Sequence, residues 1–525
     1  MGRGSPSCAS RQVCAACSIA GDPGGRLAAK QWPGARIVPY RAVAEEQLGE
    51  PLRIAYYVFM VDALARLLAV GDMHLGLSPS GVPDLPSIDH DLLTPAAALA
   101  NAVDLAIAEK VDGVLFAGDL VDSANARFEA LRPLEDAIKR LRENGIRALA
   151  VVGNHDAQAL PSLARTIEGL ELVGEGGTWG SSVIEVAGEP AIEIIGWSFP
   201  TTHYSASPLV ELLDAPLPKR GLPRIGLLHG DLDGSGKYAP FRRSELEAAA
   251  LDGWLLGHIH RPSLATGKHN GEAPCGYLGS LVGLDGGESG DRGPWLVTVE
   301  RGGGITCDQR VTAALRWEEI SLQVAADTTP EDLGDLLMDE TQRAAVALHE
   351  RDLQPKALGL RITLVGTVHD DAALREWIAN QNKWKNINRT VGETEVFIHK
   401  VSARLDLALD LQQLAKEGSP AGLLAQYILD LEREAEPRAA LLAAARARLT
   451  PEVQQARWEA VRKERGFRDP LTDEALAERL RRTGMMALSA LLGERQLVAG
   501  AGDLDVQEPN SAQEPDSRSA AEVTG

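Results

Sequence analysis

The chain has 525 residues, a hydrophobic fraction of 44% and a formal net charge of −21 at pH 7. Its length exceeds what one compact core can use and predicts two or three domains, and its apolar content is that of a globular protein. The acidic balance disfavours a uniformly cationic surface for nucleic acid, although it is compatible with a local basic groove or with bound divalent metals.

Residues 1–59 differ in character from the rest of the chain. They are rich in Gly, Ala, Arg and Pro and hold three of the five cysteines. Cys14 and Cys17 form a lone CxxC without a second pair, so we expect no zinc site there. We expect this segment to be disordered or to be an overlong gene start, with synthesis beginning at Met60.

Residues 60–315 alternate apolar strands with stretches of helical periodicity, which indicates an α/β fold. The segments that carry this pattern are RLLAVGD, PAAALANAVDLAIAEK, GVLFAGD, FEALRPLEDAIKRLREN and IRALAVVGNHD. Beyond residue 180 short strands dominate. No apolar run reaches the roughly 18 to 20 residues of a membrane span, and the low cysteine content suits a reduced compartment, so we expect a cytoplasmic protein without membrane association.

The remaining segments predict two smaller regions and a tail. Residues 316–405 follow a βαβαβ pattern and predict a small α+β domain, whereas residues 406–497 are helical. Apolar positions in the helical region are either a docking surface for a partner or an intrachain core; these are Leu476, Leu480, Leu488 and Leu491. Residues 498–525 are acidic and poor in large apolar groups, so we expect them to be disordered.

Five apolar strands end in residues of the types that bind metals. LLAVGDMHLG ends in Asp72 and His74, GVLFAGDLVD in Asp119, ALAVVGNHD in Asn154 and His155, IGLLHGD in His229, and WLLGHIH in His258 and His260. The first pair alone, at positions i and i+2 of an extended chain, would be an ordinary polar turn. Five such endings predict one site, because sites form beyond the carboxyl ends of strands.

The mixture of residue types at these ends indicates the chemistry. Carboxylate, amide oxygen and imidazole together suit divalent manganese, iron or zinc, of which Mn²⁺ is the ion we expect. The set exceeds the needs of one ion and fits two ions that share a carboxylate. Two such ions can bridge and polarise a phosphate, so the residues point to hydrolysis of a phosphate ester.

The motifs GDMHLG, GDLVD, GNHD, HGD and GHIH, in that order, resemble the five motifs of the calcineurin-like metallophosphoesterases. The resemblance implies a four-layer fold, a two-sheet β-sandwich flanked by helices. It assigns one metal to Asp72, His74, Asp119 and His260. It assigns the second metal to Asp119, Asn154, His229 and His258, so that Asp119 bridges the two.

The same resemblance assigns His155 a role other than metal binding. This histidine would contact the scissile phosphate and protonate the leaving oxygen, which needs a fixed ring orientation. Asp122 matches a position that supports this histidine in some family members, although it could also be a loop aspartate that caps the next turn. We expect Asp156 and Asp231 to hold loop backbone.

Two departures from the phosphatase pattern indicate a branch of the family. Ser123 stands where phosphatases of this superfamily carry an arginine, and GNHD replaces GNHE. GHIHRP and YLGSLVGLDGGESGDRGPWLVTVE resemble the SbcD-type DNA repair exonucleases, although Leu278 replaces the proline of their YPGS segment. That resemblance implies a DNA substrate, a cap domain after the sandwich, C-terminal helices that dock on an SMC-like ATPase, and a homodimer.

The sequence therefore predicts a two-metal phosphodiester hydrolase that acts on DNA, as the nuclease subunit of a repair exonuclease. Two alternatives stay open. One is a phosphodiesterase or phosphatase for a small nucleotide or metabolite, which the acidic balance favours. The other is a scaffold with an inactive site, which the complete ligand set disfavours. A basic cluster, Lys237, Arg242 and Arg243, either meets DNA phosphates or is solvated.

Overall fold

The computed structural model describes residues 63–123, 126–234, 236–269, 273–432, 436–455, 458 and 469–501. Three features of the sequence lie outside the described residues: the CxxC of Cys14 and Cys17, where we expect no zinc site, Met60, and the acidic tail beyond residue 501. The described residues from Ala63 onward form one unit by their mutual contacts. The boundaries expected near residues 315 and 405 stay predictions.

The first sheet has seven strands. They are β1 Ala63–Val70, β2 Gly113–Phe116, β3 Arg147–Ala150, β4 Leu170–Leu172, β9 Gly267–His269, β11 Trp295–Glu300 and β12 Ile305–Gln309. Their order is β4-β3-β2-β1-β11-β12-β9, in which β1 to β4 run parallel and β11 pairs antiparallel with β1. The carboxyl ends of β1, β2 and β3 therefore lie at one edge.

The second sheet has five strands. They are β5 Trp179–Val186, β6 Glu189–Trp197, β7 Arg224–His229, β8 Gly253–Gly257 and β10 Cys275–Tyr277, in the order β10-β8-β7-β6-β5. β6, β7, β8 and β10 run parallel, and β5 is antiparallel to β6. One buried apolar cluster combines side chains from both sheets, among them Leu67, Leu115, Leu149, Ile194, Leu227 and Leu255. The two sheets thus share a core.

Five helices accompany these sheets. They are α1 Pro95–Ala108, α2 Arg127–Glu143, α3 Leu160–Thr166, α4 Leu209–Asp214 and α5 Arg243–Ala249. The start of α1 follows from its sequence, because Thr94 Oγ1 accepts from Ala97 N at 3.4 Å and Pro95 occupies the first turn. The mixed α/β organisation expected from the sequence is confirmed.

A third sheet follows, with strands β13 Leu315–Gln323, β14 Ala357–Val368, β15 Asn388–Val391 and β16 Thr394–Leu407 and helices α6 Asp332–His349 and α7 Asp371–Ala379. The predicted βαβαβ pattern is wrong in one respect, because β15 adds a strand antiparallel to β16. Gly392, at φ 60°, and Glu393 form a two-residue turn between the paired residues Val391 and Thr394. Such a turn needs a positive φ, which glycine adopts readily.

The chain continues into the helices α8 Leu411–Leu414, α9 Pro420–Glu432, α10 Glu436–Val453 and α11 Asp473–Ala501. Leu476 and Leu488 are fully buried within the chain, and Leu480 packs beside Leu476. Leu491 is 38% exposed. The intrachain alternative therefore holds for three of the four apolar positions. None of the helices in the described part of the chain combines the length and the apolar character that crossing a membrane requires.

Candidate metal centre

The carboxyl ends of β1, β2, β3, β7 and β8 come together at one place. Backbone bonds continue the alignment of the strands beyond their ends, since His74 N donates to Asp119 O at 2.9 Å. The two sheets are joined there by His258 N, which donates to Asp72 Oδ1 at 2.9 Å. Residues far apart in the sequence thus face one cleft.

Four of the predicted ligands have a positive φ, namely Asp72 at 43°, His74 at 50°, Asp119 at 51° and His258 at 109°. Residues other than glycine avoid this region because Cβ meets the backbone. Such conformations cost about 1–3 kcal/mol each and concentrate at functional sites. The rest of the fold must offset this strain.

Two glycines permit the close approach of the loops. A Cβ atom on Gly153 would lie 2.2 Å from Asp119 Oδ1, and one on Gly257 would lie 2.0 Å from the Ala117 carbonyl oxygen. Both distances are far shorter than a carbon and an oxygen tolerate. Glycine is therefore required at these two positions beside the ligands for steric reasons.

Asp72, His74 and His260 form the first group of ligand atoms, which lie within 4.8 Å of one another. The Nε2 atoms of His74 and His260 are 3.0 Å apart. The Nδ1 atom of His74 lies 3.3 Å from Asp122 Oδ1, and that of His260 lies 2.5 Å from Glu288 Oε1. With each Nδ1–H bonded to a carboxylate, both Nε2 lone pairs point to the same spot, as metal ligands do.

The second group surrounds the carboxylate of Asp119. Its Oδ2 atom lies 3.2 Å from His229 Nε2 and 3.9 Å from His74 Nε2. His229 Nε2 is also 3.0 Å from Asn154 Oδ1, and its Nδ1 donates to a main-chain carbonyl at 2.9 Å. The His258 ring centroid is 5.3 Å from that of His229. Asp119 thus lies between the two groups.

Burial and mutual contacts set the charges in this cleft. Burial raises the pKa of Asp72 to about 6 and lowers the pKa of His74 and of His258 to about 4. Burial also opposes ionisation of Asp119, but the His229 imidazole outweighs it and holds the pKa of Asp119 below its usual range. Burial would likewise lower the pKa of His229, yet Asp119 raises it to about 9.

The residues present fit a divalent cation. Asp72 Oδ2 is buried and has no hydrogen-bond partner among the described residues. An orphaned carboxylate oxygen is costly in a protein interior unless a cation meets it. The lowered pKa of His74 and of His258 keeps these two imidazoles neutral at pH 7, which is the state that metal binding requires. Carboxylate, amide and imidazole donors lie together here around Asp119. Their assignment to two ions stays a prediction.

His155 lies beside the ligands and is half-exposed. Its backbone N donates to Asp119 Oδ1 at 2.9 Å, and its Nδ1 donates to the Asp122 carbonyl at 2.9 Å. The Asp122 carboxylate lies 3.6 Å from His155 Nδ1 but 3.3 Å from His74 Nδ1. Asp122 therefore holds His155 mainly through its main chain, while its side chain faces the ligand His74.

Asp156 is fully buried and anchors the loops, as expected. Its carboxylate accepts from Leu120 N and from Gly153 N, both at 2.7 Å. These bonds connect the loop after β3 with the loop after β2. Burial, reinforced by the nearby Asp119 charge, raises the pKa of Asp156 to about 7.

Sequence reasoning assigned no role to two further features of the site. Glu288 contacts the ligand His260, and a row of rings leads away from His258. The Tyr238 ring lies 5.3 Å from that of His258, and the His203 ring stacks on Tyr238 at 5.7 Å. Glu288 lies in the segment YLGSLVGLDGGESGDRG. The glycines around it are the feature of the sequence that could have indicated a functional loop.

The basic cluster for which the sequence left both phosphate contact and solvation open is solvent-exposed. Lys237, Arg242 and Arg243 are all exposed residues after β7. Arg243 begins α5, and its backbone N donates to Asp233 Oδ1 at 3.1 Å. Contact of this cluster with DNA stays a prediction.

Residues 65–262, which include all seven predicted ligands and His155, match the family model of the calcineurin-like phosphoesterases. The chain is 31% identical over 271 residues to the uncharacterized metallophosphoesterase YhaO of Bacillus subtilis (strain 168); this alignment covers 48% of this chain and 62% of YhaO. It is 28% identical over 208 residues to the DNA double-strand break repair protein Mre11 of Saccharolobus solfataricus; this alignment covers 38% of this chain and 50% of Mre11. The chain thus spans less than two thirds of the length of either relative.

Among solved structures, the chain is similar to the calcineurin-like phosphoesterase YfkN from Bacillus subtilis. The sequences are 12% identical, and the TM-score is 0.31. The match covers 54% of this chain and 98% of the YfkN chain.

Proposed function

We propose, from the match of residues 65–262 to the calcineurin-like phosphoesterases, that this chain is a two-metal phosphodiester hydrolase that acts on DNA. The family match and the relatives support a metal-dependent phosphoesterase of that superfamily. The observation that carries the proposal is the position of Asp119, whose Oδ2 atom lies 3.9 Å from His74 Nε2 and 3.2 Å from His229 Nε2, so that it faces a ring of each expected ligand set.

The expected ligand sets follow the sequence prediction. Asp72, His74, Asp119 and His260 would hold one divalent ion, and Asp119, Asn154, His229 and His258 the other, with Mn²⁺ as the proposed ion. Such ions supply Lewis-acid polarisation of a phosphate ester. The chain fixes the orientation of three imidazole rings, because the Nδ1 atom of each of His74, His229 and His260 contacts an oxygen atom.

His155 is the proposed general acid. Its Nδ1–H is committed to the Asp122 carbonyl at 2.9 Å, which leaves Nε2 for the substrate. A ring held in this way protonates a leaving oxygen from Nε2 only when it starts as imidazolium. Its 47% exposure places it where a substrate from solvent can reach it.

A basic groove on the third sheet supports DNA as the substrate. The groove has a volume of about 470 Å³, and its polar lining residues are Glu319, Ser321, Arg361, Thr363, Lys400, Ser402 and Arg404. Three cations and three hydroxyls against one carboxylate suit a phosphate backbone, in a chain whose net charge is −21. The similarity to Mre11, which is named for DNA double-strand break repair, supports the same substrate class.

The proposal also covers the layering of the sheets, the cellular location of the chain and its partners. We place the first two sheets and their helices in a four-layer sandwich, the third sheet in a capping position, and the chain in the cytoplasm. We further propose that it works as the nuclease subunit of an SMC-like ATPase complex and as a homodimer. Exposed apolar side chains on α9 and α11 are available for such partners, namely Leu423, Tyr427, Met486 and Leu491.

A phosphodiesterase or phosphatase for a small nucleotide or metabolite is the second candidate. The Tyr238 ring beside His258 and the His203 ring that stacks on it suit a nucleotide, because they offer a stacking surface to a nucleobase. A free nucleotide and the end of a DNA strand would both use this surface. The rings therefore support a nucleotide-containing substrate without separating the two candidates.

The deciding experiment gives purified full-length protein and Mn²⁺ four substrates: single-stranded DNA, duplex ends, bis-p-nitrophenyl phosphate and p-nitrophenyl phosphate. The proposal expects cleavage of DNA and of the bis-ester, both abolished in Asn154→Ala and His155→Ala. Hydrolysis of small esters without DNA cleavage, even with an SMC-like ATPase added, would support the second candidate instead. Full activity in either variant would refute the site assignment.

A further inference from the structure

Glu288 has every carboxylate oxygen engaged beside a predicted metal ligand. Its Oε1 atom lies 2.5 Å from His260 Nδ1. Its Oε2 atom accepts from Ser280 Oγ at 3.1 Å and from Leu284 N at 3.0 Å. The side chain is only 15% exposed, so these contacts fix its position.

Arg292 holds the same neighbourhood from the other side. It is 2% exposed, and its Nη1 donates to the carbonyl of His260 and, at 3.0 Å, to Ser280 Oγ. His260 is therefore restrained both at its ring and at its main chain. The two restraints come from one loop, residues 283–292, which we call the strap.

We propose that Glu288 is a positioning residue that fixes the ring of His260 for metal binding, an inference that rests on the proposed metal centre. An Nδ1–H that donates to a carboxylate leaves the lone pair on Nε2. Nε2 of His260 lies 3.0 Å from Nε2 of His74, and their ligand group includes Asp72. Glu288 thus presents His260 to the first metal in the one tautomer that can bind.

The strap also connects this histidine with the third sheet. Trp317, fully buried on β13, donates from Nε1 to the Gly283 carbonyl at 3.1 Å. Its own carbonyl accepts from Gly290 N at 2.9 Å, so Trp317 holds both ends of the segment that carries Glu288. Arg361 Nη1 donates to the Gly286 carbonyl at 2.9 Å. The packing of the third sheet therefore supports the orientation of His260.

Metal binding without substrate tests this inference. The full chain is titrated with Mn²⁺ alone, with free Mn²⁺ followed by electron paramagnetic resonance and heat by calorimetry. Glu288→Ala is expected to weaken one of the two sites by about 10- to 100-fold, the usual effect of removing such a partner. Glu288→Gln is expected to fall between, because its amide oxygen still accepts from Nδ1–H but carries no charge. Trp317→Phe, which removes the donor to Gly283, should weaken the same site less.

Glu393→Gln is the matched control. Its carboxylate is 73% exposed and pairs with Lys356 at 2.6 Å at the turn before β16, away from the strap and the basic groove, so we expect unchanged Mn²⁺ binding. Unchanged binding in a folded Glu288→Ala protein would overturn the inference and leave the proposed function intact. If Glu288→Ala does not fold, the Glu288→Gln titration decides in the same way. Failure of the wild-type chain to bind Mn²⁺ would overturn the proposed metal centre and the inference together.

Discussion

The candidate metal centre and the third sheet differ in backbone strain and in how they are stabilised. At the metal centre, four predicted ligands have a strained positive φ and Asp72 keeps a buried oxygen without a partner among the described residues. Between residues 315 and 407, Asp352 is the single non-glycine residue with a positive φ. One face of the third sheet packs against helices, and the other carries the hydroxyls and cations of the basic groove. Backbone strain and the buried Asp72 oxygen lower the stability of the first region, whereas apolar packing stabilises the second.

Removing the carboxylate shared by the two ligand groups should have the largest effect. Asp119→Asn deprives both sites of a charged ligand, and metal stabilisation of a phosphate transition state is worth several kcal/mol, so we expect a decrease of about 10³-fold in kcat/KM. Hydrolysis of bis-p-nitrophenyl phosphate measures it. Glu319→Gln, on the third sheet, should retain activity within about twofold. Comparable decreases in the two variants would remove the distinction between the regions.

A glycine-to-alanine change should lower activity at the candidate metal centre but raise the free energy of unfolding in the region of the third sheet. In Gly153→Ala the new Cβ would lie 2.2 Å from Asp119 Oδ1 and must displace that ligand, and a misplacement of about 1 Å can cost about 10²-fold in activity. Gly334 lies in α6 with nothing within 4 Å of its added Cβ. Gly334→Ala should therefore raise the free energy of unfolding by about 0.5–1 kcal/mol without changing activity. Thermal unfolding and ester hydrolysis measure both, and a fully active Gly153→Ala protein would contradict the geometry.

The basic groove should affect DNA and leave small esters alone. In a Lys400→Ala, Arg404→Ala double variant we expect weaker DNA binding, and a salt dependence shallower by about 0.9 for each DNA phosphate that the variant no longer neutralises. Binding to fluorescent DNA is measured across a salt series. Hydrolysis of bis-p-nitrophenyl phosphate should be unchanged, because none of the groove residues is a predicted metal ligand. An unchanged salt slope would remove the groove from the proposed DNA path.

The smallest effect is expected at Asp291, which connects the two regions. Burial opposes its ionisation, but Arg316 at 2.7 Å and Arg351 at 2.9 Å outweigh burial and hold the pKa of Asp291 below its ordinary value. A lowered folded pKa stabilises the fold above the unfolded value of about 3.9, and this stabilisation disappears as the pH falls through the folded pKa. We expect Asp291→Asn to cost at most about 1 kcal/mol at pH 7, because the Asp291 carboxylate is 35% exposed and the buried Arg316 keeps Glu318 as a second partner. Denaturant unfolding should show the difference from wild type shrinking below about pH 4.

The sequence predicted which residues meet at the candidate metal centre better than it predicted the contacts that hold them. Each ligand follows an apolar strand directly, so strand recognition and residue type suffice to place it at a sheet edge. Asp122 was expected either to support His155 or to cap the next turn, and its main-chain carbonyl lies closer to His155 Nδ1 than its carboxylate does. A backbone acceptor leaves no trace in residue type, so the sequence could not reveal it.

The sequence by itself determined the α/β organisation of residues 60–315 and the residues that meet at the candidate site, because periodicity and strand endings are local properties. Only the tertiary structure decided which of the apolar helix positions are buried, since Leu476 and Leu488 depend on partners from α9 and α10. It also decided the role of Glu288, which lies 28 residues from His260 in an irregular loop. A contact at that separation is set by how the strap packs on Trp317, and no pattern in the chain encodes it directly.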